Sequence, residues 1–301
     1  MIFGQGNFKY EMQADWLKMP NQWKGSMAAV TVDSKDRIYA FNRGDHPVQV
    51  FNKNGDFLYS WGEGLFASPH GIYADKQDNI WIVDRNNGQI FKFTTDGELL
   101  LTIGVKGFRS NSGVDNSLFT HTLFKDVTRP GGPFNLPANI AVSDNGNLYI
   151  ADGDANCQVH IFSPEGKHIS SWGEPGNGPG QFVLPHAVWI DRKGRVLVAD
   201  RENNRIQVFD LSGNFLHQWP TNLIGPACIW IDSNDIVYVP EHNGGFFSVL
   251  NLDGELLSRW GSEKYKNCHG VSGDSDGNIY FVQPLNGEGS SGRTIVKYIK
   301  I

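Results

Sequence analysis

The chain has 301 residues, a formal net charge of −6, 35 glycines and nine tryptophans. An acidic balance with no basic stripe argues against nucleic acid as a partner, and no apolar run is long enough for a transmembrane helix, so no membrane partner is expected. The opening Met1-Ile2-Phe3-Gly4-Gln5-Gly6 lacks the basic-then-apolar pattern of a secretory leader, and three cysteines, Cys157, Cys228 and Cys268, show no framework spacing; both point to reduced thiols and a cytoplasmic protein, although a form whose leader had been removed would read the same.

In chain order, Phe8-Lys9-Tyr10-Glu11-Met12 reads as a lone short strand. A strand at Ala29–Asp33 then opens a unit whose last strand is Leu58-Tyr59-Ser60-Trp61-Gly62. The next unit shows the pattern most clearly. Its four short β-rich runs are Gly71–Asp75, Ile80–Asp84, Gln89–Phe93 and Leu99–Gly104, separated by turn strings such as Gln77-Asp78-Asn79 and Thr95-Asp96-Gly97. Four antiparallel strands in about forty residues is the period of a propeller blade. First strands recur at Ile140–Ser143, Val188–Asp191, Ile229–Asp232 and Val271–Asp274, and last strands at Ile169–Gly173, Leu216–Trp219 and Leu257–Gly261. The Trp near the end of most last strands is expected to pack between neighbouring sheets. The sixth unit has no fourth strand of its own after Ile299, and residues 8–12 can supply it.

The expectation is therefore an all-β, six-bladed propeller spanning residues 1–301 as a single domain, closed by an N-terminal strand that completes the last blade and so leaves no open edge in the ring. The connection at about 105–136, which holds Arg109, His121 and Pro130-Gly131-Gly132-Pro133, is long enough to be a lid, a binding loop or a surface excursion. A smaller glycine-rich excursion spans 173–180.

Strand order fixes where chemistry gathers. The link into each first strand and the loop between second and third strands open on one face. Three of those links read Pro69-His70-Gly71, Pro185-His186-Ala187 and Cys268-His269-Gly270, in alternate units. The loops read Asn42-Arg43-Gly44-Asp45-His46, Asp84-Arg85-Asn86-Asn87, Asp152-Gly153-Asp154, Asp200-Arg201-Glu202-Asn203, Pro240-Glu241-His242 and Gln283-Pro284-Leu285-Asn286. The opposite face receives turn chemistry. A lone His near a propeller axis is usually a hydrogen-bonded core residue. Three at one repeat position lie at one height, and neutral imidazoles are preferred ligands of zinc and related ions. His70, His186 and His269 are thus read as a divalent metal site, zinc first, with manganese, iron or calcium as alternatives.

Among the others, Asp84, Arg85, Asp200 and Arg201 fit blade-tying hydrogen bonds, while Arg85 and Arg201 are also placed to meet an anionic substrate. His46, His121 and His242 each stand alone in a loop as candidates to touch substrate or move a proton. Cys228 and Cys268 read as small apolar filler near the funnel, with a thiolate ligand as the lesser reading.

The strings Arg43-Gly44-Asp45-His46, Ala151-Asp152-Gly153, Phe162-Ser163-Pro164-Glu165-Gly166-Lys167, Trp172-Gly173-Glu174, Pro179-Gly180-Gln181-Phe182 before Pro185-His186, and Val198-Ala199-Asp200-Arg201-Glu202-Asn203 resemble NHL-repeat propellers, and within them the catalytic domain of peptidyl-α-hydroxyglycine α-amidating lyase. The resemblance covers nearly the whole chain. It implies zinc on His70, His186 and His269 with Arg43 beside it. Two departures stand out: the family's catalytic Tyr after the third-blade Asp-Gly is here Asp154, and the Asp that follows its third zinc His, associated with calcium, is here Gly270.

The reading of function is a metal-dependent lyase for a small polar substrate, α-hydroxy or carbinolamide-like and bearing a carboxylate or carbonyl. Arg43 would grip that group, and Asp154, or else His46 or His121, would move the proton, with Arg85, Arg201 and His242 binding substrate. A hydrolase or hydratase on the same scaffold is the first alternative, a non-catalytic interaction platform the second. A lactonase-like centre is disfavoured, because Glu241 and Asp154 do not assemble its carboxylate and amide ligands.

Overall fold

A computed structural model describes residues 1–20, 23, 25–284 and 292–301. Six antiparallel sheets follow one another along the chain, each walking outward from its first strand to its last. The first blade is Met27–Val32, Ile38–Asn42, Val48–Phe51 and Phe57–Trp61, and the second is Pro69–Ala74, Ile80–Asp84, Gln89–Phe93 and Leu99–Ile103. The third to fifth blades begin at Asn139–Val142, Pro185–Ile190 and Trp230–Ile231. This is the expected six-bladed propeller. Among the described residues no α-helix occurs, and so none long and apolar enough to cross a membrane.

The sixth blade joins both ends of the chain. Val271–Gly273, Ile279–Pro284 and Arg293–Lys300 are completed by Phe8–Gln13, with Tyr10 opposite Lys300 and Met12 opposite Tyr298. Pairing the terminal strands satisfies ladder groups that a broken ring would leave open. Tyr10 is fully buried here, and its hydroxyl lies 3.2 Å from that of Tyr238 in the fifth blade. A further strand that the pattern did not indicate, Ile2–Gln5, adds outside Phe8–Gln13.

The tryptophans pack between blades as expected. Trp61, Trp172 and Trp219 each lie under the hairpin glycine of the following blade: Gly97, Gly213 and Gly254. At Gly254, with φ +78°, an added Cβ would lie 2.2 Å from the indole Cγ. Only glycine supplies both the left-handed backbone and the missing volume. On that same face, Asp33, Asp75, Asp191, Asp232 and Asp274 each accept backbone N–H groups from residues two and four positions later. These are Asx turns, which close the first hairpin of every blade but the third, where Ser143 stands instead.

On the other face, the carboxylate ending the second strand of the second to fifth blades grips the link that enters the first strand of its own blade. Asp84 accepts from the Ala67 and Ser68 amides at 2.9 and 2.8 Å, and Asp200 from Val183 and Leu184 at 3.1 and 3.2 Å. Asp152 and Glu241 do the same for Asn135 and Ile224. Asp84 and Asp200 were expected to tie one blade to the next, as Arg85 does by bonding Asp154 of the third blade. The four carboxylates act within a blade, and what they fix is the segment just before the axial residue of that blade.

Candidate metal centre

The three histidines stand where the inner strands of the second, fourth and sixth blades approach the axis. Pairing slips between Pro69 and Gly71 and between Pro185 and Ala187, leaving His70 and His186 as the extra residue of a β-bulge. His269 occupies the matching position, its amide donating to Val282 O at 2.8 Å. A bulge turns the extra side chain away from the sheet, here toward the axis. Alanines hold this position in the other three blades: Ala28 is the extra residue of the first, and the amides of Ala138 and Ala227 donate to Ala151 O and Pro240 O at 2.8 and 2.9 Å.

That alternation of histidine and alanine pairs each imidazole with the alanine carbonyl of the following blade. His70 Nδ1 lies 2.8 Å from Ala138 O, His186 Nδ1 2.6 Å from Ala227 O, and His269 Nδ1 2.6 Å from Ala28 O. A carbonyl can only accept, so each Nδ1 carries the proton and each Nε2 keeps its lone pair. The ring centroids are 4.8–5.1 Å apart, and one potential ligand atom from each residue lies within 4.8 Å of the others. His186 Nε2 is buried without a hydrogen-bond partner.

Burial, opposed by Asp154 and reinforced by Arg43 and Arg85, takes His70 down to about 3. Burial first, then Arg201 for His186 and Arg293 for His269, puts those two well below the usual imidazole range. All three are neutral at physiological pH, as ligands must be. An orphaned, buried, neutral nitrogen beside two more of its kind fits a divalent ion. Orienting the ring through its second nitrogen is also how metal-binding histidines are commonly held.

Above the triad opens a cavity of about 360 Å³. Arg43, Arg201 and Arg293 reach it, with Asp154, His121 and His242. Arg43 Nε donates to Pro69 O, the residue before His70, at 3.1 Å. Arg201 Nε lies 2.9 Å from Glu202 Oε1. His242 Nδ1 donates to Cys268 O at 3.2 Å, and burial followed by Arg201 lowers it to about 3. Below the triad the axis is nearly filled. Tyr73, Trp189 and Trp230 narrow it to a void of about 30 Å³, and a Cβ on Gly270 would meet Ala29 Cα and Val282 Cγ2 at 3.1 Å. Ligands therefore reach the histidines from the cavity side.

Several candidates stand differently from their sequence reading. Asp154 is bound to Arg85 through Nε, with its Oδ2 3.7 Å from His70 Nε2. Burial would raise this carboxyl, but the Arg85 guanidinium outweighs it and holds it far below the usual carboxylate range, leaving a weak proton acceptor. Arg85 is buried against Asp154 and Asn86 and does not line the cavity. His46 stacks on Trp23, with centroids 3.7 Å apart, and lies 3.0 Å from Glu63 Oε1, away from the cavity lining.

His121 does reach the cavity, carried by the 105–136 connection. Asn135 organises that segment, donating to Ser110 O and Ser112 Oγ at 3.0 Å and accepting from Arg109 Nε at 2.7 Å. Leu123 and Leu136 pack on Ala155. The connection is thus built onto the third blade's loop.

Cys228 and Cys268 pack with the apolar cluster between the fifth and sixth blades, and burial raises both thiols. That is the filler role, and it disfavours a thiolate. Sequence reading missed Arg293 and Asn267 as cavity residues. The sixth blade's loop offers no Asp-Arg string to flag them, and its Leu285-Asn286 lies outside the described residues.

A family model described as a 6-bladed beta-propeller matches residues 127–254, and an NHL repeat model matches residues 66–93. The chain is 34% identical over 223 residues to NHL repeat-containing protein 3 of Homo sapiens, covering 70% of this chain and 59% of that protein. It is 33% identical over 189 residues to peptidyl-alpha-hydroxyglycine alpha-amidating lyase 1 of Drosophila melanogaster, covering 57% of this chain and 30% of that one. The chain thus spans about three-fifths of the first relative and less than a third of the second. Virginiamycin B lyase from Staphylococcus aureus has the same fold, with TM-score 0.60, 15% identity and coverage of 96% and 88%.

Proposed function

We propose that this chain, an NHL-repeat six-bladed propeller with amidating lyases among its homologues, is a metal-dependent lyase acting on a small α-hydroxy or carbinolamide-like substrate that carries a carboxylate or carbonyl. One observation carries the reading: three neutral imidazoles, each fixed through Nδ1, converge beneath a cation-lined cavity whose wall includes His70 and His269. Bound on His70, His186 and His269, a divalent ion, zinc by donor type, supplies Lewis acidity toward a hydroxyl, carbonyl or water oxygen.

The chain's own groups do the rest. Arg43, anchored by Nε to Pro69 O, presents its remaining N–H donors to a substrate carboxylate, where charge-assisted pairs orient as well as attract. His121 is the proton acceptor that the geometry favours over Asp154 and His46. It lines the cavity, and burial with Arg85 beside it lowers its pKa, so the imidazole is free base at neutral pH. Asp154 neutralises Arg85 and sets the field at His70. His242 and Arg201 complete the wall.

A screen of small α-hydroxy acids and carbinolamides in ¹⁸O water tests this. A lyase releases an amide or other non-carbonyl fragment free of ¹⁸O beside a carbonyl fragment whose oxygen exchanges with water on its own, and activity disappears with chelator and with Arg43→Ala. Incorporation of ¹⁸O into the non-carbonyl fragment would make the protein a hydrolase or hydratase. A chain that binds no metal and turns over none of these compounds would leave the interaction platform.

A further inference from the structure

The cavity holds more positive charge than the described carboxylates pair with. Among the described residues, Arg85 pairs with Asp154 and Arg201 with Glu202. Arg43 and Arg293 both face the cavity, and no described carboxylate pairs with either. Each is instead held by the backbone across a blade boundary. Arg43 Nε donates to Pro69 O at 3.1 Å, and Arg293 Nε donates to Met27 O at 3.1 Å. Pro69 and Met27 are matching positions, each one residue before the axial His70 or Ala28.

Both guanidiniums line one cavity, and Arg43 lies close enough to lower the affinity of Arg293 for a proton. Burial first, then Arg43, brings Arg293 down to about 9. Of the five N–H donors of a guanidinium, Arg293 spends one on Met27 O and one on Asn267 O, the latter at 3.4 Å. Among the described residues the others have no hydrogen-bond partner and can meet a ligand. Placing two like charges together costs free energy unless an anion joins them, and fixing both through Nε removes the entropy that a ligand would otherwise have to offset.

We infer that Arg43 and Arg293 form a subsite for a dianionic group, a dicarboxylate or a phosphoryl group, and that Arg293 determines this preference. As a statement about substrate it rests on the lyase reading; as a statement about binding it stands alone.

The test is isothermal titration of the full chain with malonate, inorganic phosphate and acetate at pH 7.5, in metal-loaded and chelator-stripped forms. Either dianion, or both, is expected to bind at least about tenfold more tightly than acetate, as two charge-assisted pairs against one require. The preference persists in the stripped protein. Arg293→Gln abolishes it while metal stoichiometry and the ligand-free melting temperature are retained, and Arg293→Lys, which keeps the charge, restores part of it.

Equal binding of acetate and the dianions overturns the inference. So does a dianion preference that vanishes with the metal or survives Arg293→Gln. If Arg293→Gln lowers the ligand-free melting temperature, the Arg293→Lys affinities decide: an unchanged dianion-to-acetate ratio there, with unchanged sensitivity to chloride, also overturns it. Absence of metal with the dianion preference intact would defeat the lyase reading and leave the anion subsite standing.

Discussion

Replacing His186 by Ala separates a metal ligand from an ordinary core histidine. Without metal, two effects oppose each other. The ring's Nε2 is buried and unpartnered, and removing it relieves a desolvation penalty of about 1–3 kcal/mol. The same change deletes the 2.6 Å bond from Nδ1 to Ala227 O and leaves that carbonyl to find water, a loss of about the same size. The metal-free protein should therefore change little, within about 2 kcal/mol.

With metal present the balance breaks. An ion bound only by the native state, at a free concentration a thousand times its Kd, stabilises by about 4 kcal/mol, and removing one of three ligands forfeits most of that. At about 2.1 cal/mol/K of unfolding entropy per residue, the 301-residue chain melts about 1.6 °C lower for each kcal/mol lost. The metal-induced rise in Tm should be about 6 °C in the native protein and near zero in His186→Ala. Differential scanning calorimetry of both proteins, each with chelator and with zinc, reads this difference. If His186→Ala lowers Tm equally with and without zinc, or if zinc never shifts the native protein, the triad is a polar plug and the argument fails.

Four further outcomes follow. His121→Ala should lower kcat about 100-fold on whatever substrate the screen identifies, with the metal retained, since general acid–base assistance is of that order; an unchanged kcat would remove His121 as proton acceptor. Gly254→Ala should cost at least about 2 kcal/mol in urea denaturation, because the new Cβ meets Trp219 at 2.2 Å on a left-handed backbone. Tyr10→Ala should cost about 3–5 kcal/mol by opening the seam where the termini join, read as a lower urea midpoint. Burial pushes Cys157 up to about 12, Cys228 up to about 11 and Cys268 further. At pH 8 all three thiols are protonated, so Ellman's reagent should find none in the native protein and three after denaturation.

The architecture was open to sequence reading because a propeller repeats its local physics: alternating strands, Asx turns and a Trp against a Gly recur every forty residues. Equivalence between repeats then carried His70, His186 and His269 to one place without any long-range information. The alanine ring partners were visible by the same logic in Pro137-Ala138 and Pro226-Ala227, but a methyl group draws no attention when the acceptor is its backbone carbonyl. What stayed hidden depends on side-chain choices among neighbours. Asp154 pairs with Arg85 rather than standing free, and His46 turns to Glu63 and Trp23. Arg293, near the end of the chain, shares a cavity with Arg43, near its start, only because the ring closes.

The most direct measurement is anomalous X-ray diffraction from crystals of the zinc-loaded protein, collected on both sides of the zinc edge. The account predicts one axial peak bonded to Nε2 of His70, His186 and His269, with each Nδ1 still on the carbonyl of Ala138, Ala227 or Ala28. A peak elsewhere, or no axial peak in crystals grown with excess zinc, would contradict it.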